Sequence, residues 1–142
     1  MVIIMVNFNE VRKYLIDNMA EFGNISFTAQ DETNGNSFSS IYLIEKPKNH
    51  KITSGNALII KFHELGGGNQ VRKYFVEIWL LSKDLTDIVT IKDKLVDLLD
   101  FYKTPCLIPN INKFRLDSES GITFDESTQM YVNRIYFDCN KF

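Results

Sequence analysis

ALIIKFHEL-GGGNQ-VRKYFVEIWLLSKD-LTDIVTIKDKLVDLLDFY, residues 57–102, is the stretch that decides the fold. Its first and third blocks alternate apolar and polar side chains with a period of two, the pattern of a half-buried strand. The block between them reads as a flexible hairpin loop, because Gly66, Gly67 and Gly68 can take turn conformations that other residues avoid. The last block changes period. Ile88, Ile91, Leu95, Leu98 and Tyr102 recur at spacings of three and four, one stripe of an amphipathic helix. Asp84, with Asp87 three residues on, suits the start of that helix.

Pairing Leu65 with Lys73 across the glycine block sets Leu58 opposite Leu80, Ile60 opposite Ile78 and Phe62 opposite Val76. Those side chains make one apolar face, expected to pack on the stripe Ile88, Ile91, Leu95, Leu98. The other face carries Ile59, Lys61 and His63 against Trp79, Glu77 and Phe75, with Leu81 further along. Two aromatics in line exceed what a plain solvated face holds, so a contact is expected there.

Working outward, residues 7–22 read as a helix, with Asn7 as N-cap, Glu10 three positions on, and the stripe Phe8, Val11, Leu15, Met19, Phe22. Gly23 and Asn24 are expected to stop it. Ile25, Phe27 and Ala29 mark a first strand, DETNGNS a turn, residues 40–46 a second strand, and residues 47–56 a polar loop. Pro105 and Pro109 bound a connection, after which 111–117, 121–126 and 130–139 read as closing strands. An imperfect alternation predicts a bulge near Asn133 or Arg134. The expected fold is α+β: an antiparallel sheet of about five to seven strands with two main helices, in the order α-β-β-β-β-α-β-β-β.

The 142 residues suit a single domain over 1–142, since two halves would each have a marginal core. A hydrophobic content of 44% places the chain outside the disordered class. A net charge of −2 provides no general attraction to nucleic acid. Cys106 and Cys139 lack CxxC spacing and suit free thiols in a reducing compartment. The opening MVIIMV is too short for a signal sequence, and no apolar run approaches the length that spans a bilayer, so a soluble protein without a membrane partner is expected.

Gly66-Gly67-Gly68 is followed by Asn69 and Gln70, not by the Gly-Lys-Ser/Thr of a phosphate loop, and Val71 occupies the third glycine position of a dinucleotide fingerprint. His63-Glu64 lacks the second histidine of a zinc-protease helix, and the two histidines and two cysteines have no metal-ligand spacing. No Gly-x-Ser-x-Gly elbow is present. The expectation is therefore no catalytic residue, no metal and no cofactor. Arg72, Lys73, Tyr74 and Lys61 form a small basic and aromatic group interrupted by Glu64 and Glu77, which fits a partner surface better than a nucleic-acid track.

An N-terminal helix, an early hairpin, and Val76-Glu77-Ile78-Trp79-Leu80-Leu81-Ser82-Lys83-Asp84 handing over to a helix through Ile91 to Leu99 form a recognisable order. With the short strands ending in Tyr136-Phe137-Asp138, residues 57–139 resemble the small tail-completion proteins (tail terminators, or minor capsid proteins) of long-tailed bacteriophages and prophages. The resemblance implies a non-enzymatic homo-oligomeric ring, usually of about six subunits, that caps the tail tube and joins it to the head connector. It also implies assembly in the bacterial cytoplasm and residence in the virion tail or neck. The subunit interface would then comprise Ile59, Lys61, His63, Phe75, Glu77, Trp79 and Leu81. Two alternatives from other classes stand beside it: a small monomeric ligand- or peptide-binding module with a cleft between sheet and helices, and a hydrolase or transferase with an unrecognised site.

Overall fold

The computed structural model describes residues 8–67, 72–102 and 105–141. Helix α1 (Asn9–Met19) precedes β1 (Glu21–Phe22), β2 (Ile25–Ser26), β3 (Thr28–Asp31), β4 (Ser37–Ser39), β5 (Ile41–Leu43), β6 (His50–Ile52), β7 (Asn56–Gly67) and β8 (Arg72–Ser82). Helix α2 (Leu85–Leu99) follows, then β9 (Ile111–Asp125) and β10 (Met130–Lys141). The main sheet has five strands in the order β5-β7-β8-β10-β9, antiparallel except where β5 runs parallel to β7. A three-stranded antiparallel sheet, β4-β3-β6, and the β1–β2 pair complete a mixed α+β fold with two helices. Among the described residues no helix is long and apolar enough to cross a membrane.

Leu58 faces Leu80, Ile60 faces Ile78 and Phe62 faces Val76, the expected register. The turn end differs. Leu65 is the extra residue in a bulge between Glu64 and Gly66, so Gly66 opposes Lys73 and Gly67 opposes Arg72. Gly66 and Gly67 thus prolong β7 instead of forming a loop, with Gly66 at φ 114, a conformation that favours glycine. Gly68 lies outside the described residues.

Other boundaries also depart from expectation. The helix starts at Asn9 behind Phe8, with no side-chain cap, and Asn7 lies outside the described residues. It ends at Met19, so Phe22 belongs to β1, and Gly23 (φ 59) turns β1 into β2 rather than ending the helix. The strand placed at 40–46 is only the three residues of β5, stopped by Ile44 at φ 71. The loop at 47–56 contains β6. Two of the three closing strands are one. Asn112, Asp117 and the step at Ser120–Gly121 are absorbed as register shifts in β9, which lets 111–125 continue as a single bent strand. The bulge expected near Asn133 or Arg134 is present, but the extra residue lies on β9: Arg134 stands opposite Ser120 and Gly121 (φ 80), and its N–H donates to Ser120 Oγ at 3.1 Å.

Both helices cover the same face of the main sheet. Val11, Leu15 and Met19 of α1 and Ile88, Ile91, Leu95 and Leu99 of α2 join Leu58, Ile60, Val76, Ile78, Leu80, Ile135 and Phe137 in one buried cluster. Phe8 stacks on Phe62 at 4.2 Å and meets Tyr74 edge-on at 5.2 Å. Leu99 completes the fully buried stripe of α2 while Leu98 packs half-buried against the same core, and Tyr102 lies beyond the helix and exposed. A buried polar clasp secures the far end of the hairpin. Ser82 Oγ donates to Asn56 Oδ1 and Ser40 Oγ to the Asn56 carbonyl, both at 2.6 Å, while Asn56 Nδ2 reaches the Ser26 carbonyl at 3.3 Å. Each of these buried groups therefore keeps a partner.

Candidate functional site

Among the described residues no helix lies on the opposite face of the main sheet. Strand alternation places Ile59, Lys61 and His63 there from β7, and Phe75, Glu77, Trp79 and Leu81 from β8. β10 adds Arg134, Tyr136 and Asp138, which stand beside Trp79, Glu77 and Phe75. Ile59, Lys61, Phe75, Glu77, Trp79, Leu81 and Tyr136 are half-buried; His63 is exposed. All seven sequence-predicted residues therefore share one surface.

Trp79 is its centre. Lys61 Nζ lies 4.0 Å from the indole centroid and the Arg134 guanidinium carbon 4.1 Å, cations supplied by the strands on either side. Trp79 Nε1 donates to Glu77 Oε1 at 2.7 Å, and the other carboxylate oxygen of Glu77 sits 3.8 Å from His63 Nε2. Phe75 stacks on Tyr136 with centroids 5.4 Å apart. These contacts hold the aromatic groups in fixed orientations.

At one end this face runs into a cleft of about 400 Å3. Ala57, Ile59, Leu81 and Tyr42 floor it; β6 and its flanking segment supply Lys46, Lys48, His50 and Lys51, and Lys83, Thr128 and Met130 complete the wall. Tyr42 shares a hydrogen bond with His50 Nδ1 at 3.2 Å, and Phe38 stacks on the His50 ring at 4.8 Å. Burial pushes the Tyr42 hydroxyl up, against the opposing pull of Arg12, so it stays protonated. Glu32 is the one acid lining a cleft that contains four lysines.

The sequence missed Arg134 and Tyr136 because nothing in it pairs β10 with β8. It missed the cleft because β6 lies in a segment that reads as polar loop; the spacing of Lys46, Lys48 and Lys51 was the available signal. Elsewhere the chemistry is quiet. Among the described residues no three His, Cys, Asp or Glu side chains gather as a metal-ligand set. Both cysteines are free, and burial pushes the Cys139 thiol up to about 12, far from a nucleophile's range.

No protein-family model matches the chain, and no curated protein matches it either.

Proposed function

We propose that this chain is a non-enzymatic structural subunit of a phage or prophage tail, a tail-completion protein that forms a ring through its open sheet face. One observation carries the reading: both helices lie on one side of the sheet, and on the other side Ile59, Phe75, Trp79, Leu81 and Tyr136 are only half-buried by the described residues. A face of fixed aromatic groups set among charges has the composition of a contact between subunits, with aromatic anchors inside a polar rim. The resemblance in element order over residues 57–139 supplies the rest: a ring on the end of the tail tube, a second surface toward the head connector, assembly in the bacterial cytoplasm and residence in the virion tail or neck.

Native mass spectrometry and negative-stain microscopy of the purified chain, alone and with polymerised tail tubes, test this. A closed ring of identical subunits is expected, either free or on tube ends. A chain that remains monomeric at every concentration and leaves the tubes bare overturns the proposal.

A further inference from the structure

We propose that the lysine-lined cleft receives the acidic β9 arm, residues 116–126, of a second copy of this chain, so that subunits join head to tail. This rests on the self-association proposed above and adds which surfaces meet. Lys46 is held by the carbonyls of Pro47 and His50, at 3.2 and 2.7 Å. Lys48, Lys51 and Lys83 have no carboxylate partner among the described residues. With Ile59, Leu81 and Met130 behind them, they suit an acidic group carried on an apolar segment.

The chain carries that complement. Residues 116–126 read LDSESGITFDE, with four carboxylates and no cation. Leu116, Ile122 and Phe124 in the same segment are 39%, 36% and 46% exposed, apolar groups that such a contact could cover. β9 is the last strand of its sheet; Phe101 and Asp100 meet its outer edge at Phe114 and Leu116, and beyond them no strand among the described residues pairs with that edge. A two-fold dimer through the cleft would set lysines against lysines. Arm into cleft instead pairs unlike charges, and repeated head to tail that contact closes into a ring when the rotation permits.

Charge reversal on exposed side chains tests this, read by sedimentation velocity on the full chain with thermal melts to confirm folding. Lys48→Glu/Lys51→Glu on the cleft, and Asp117→Lys/Glu126→Lys on the arm, should each weaken association by about tenfold or more. All four changes in one chain should restore it to near the wild-type level. Association unchanged by either reversal, or not restored by the combination, overturns the arm-and-cleft contact while leaving the ring intact. A wild-type chain that never associates overturns both.

Discussion

Asn133 is the residue whose place is hardest to account for by stability alone. It is fully buried on β10 opposite Leu80, and neither its Nδ2 nor its Oδ1 has a partner. A buried amide without partners costs about 1–3 kcal/mol, and leucine is nearly isosteric. Asn133→Leu should therefore raise the urea midpoint at unchanged m, a gain in unfolding free energy of about 1 kcal/mol or more; a lowered midpoint would mean that the amide is bonded in solution. Cys139 bears on pH. Burial, followed by the nearby Cys106, pushes its thiol from 9.0 up to about 12. Burial is also the largest cause raising Cys106, Tyr14, Tyr42 and Tyr74. Each group is kept neutral in the folded chain and released earlier in the unfolded one. The unfolded state thus holds fewer protons above pH 9, and stability should fall from there toward about 12, while its share below pH 9 stays constant. Urea midpoints between pH 7 and 11 measure the decline, and Cys139→Ala should flatten it. Midpoints that stay level in the unmodified chain would contradict the buried thiol.

At the scale of elements, α2 shows what local chemistry decides. Asp84 Oδ1 accepts the N–H of Asp87 at 3.0 Å, and the helix begins on the next residue after the cap. Asp84→Ala should lower stability by about 1 kcal/mol and Asp84→Asn by much less, by thermal or urea melts; equal losses would assign the effect to charge instead of the cap. That helix and the β7–β8 hairpin were legible because each repeats its period over many residues, so the register of Leu58 with Leu80 followed from pattern alone. The strands before them were not. β4, β5 and β6 have three residues each, too few to show a period, and their place depends on tertiary partners such as the β5–β7 parallel pair. β9 misled in the other direction. Its bulges shift alternation at Asp117 and again at Gly121, so one strand reads as two. The open face was legible from β7 and β8, but one of the two cations on Trp79 is Arg134, from a strand whose neighbour no local pattern reveals.

For the whole molecule, the question is whether Trp79 serves folding or assembly, and the layout separates the two. Trp79 is absent from the buried cluster that joins the helices to the sheet. Removing the indole therefore leaves the core intact and loses the contacts to Lys61 and Arg134, worth about 0.5–1 kcal/mol each where partly exposed. In an assembled ring the same indole, already held by Glu77, would be an anchor whose loss costs about 2 kcal/mol or more per interface. Every subunit contributes its own copy of that anchor, so the losses accumulate around a ring while the folding cost is incurred once per chain. Trp79→Ala should accordingly lower the melting temperature by a few degrees, about what 1–2 kcal/mol does in a domain of this size, yet abolish particles larger than the monomer at concentrations where the wild type is assembled. Trp79→Phe should recover part of the assembly, since a ring still fills the position without the Nε1–Glu77 bond. Melting and native mass on the same samples decide it: an unfolded Trp79→Ala chain would make Trp79 a folding residue, and full assembly by a folded Trp79→Ala chain would remove the open face from the interface.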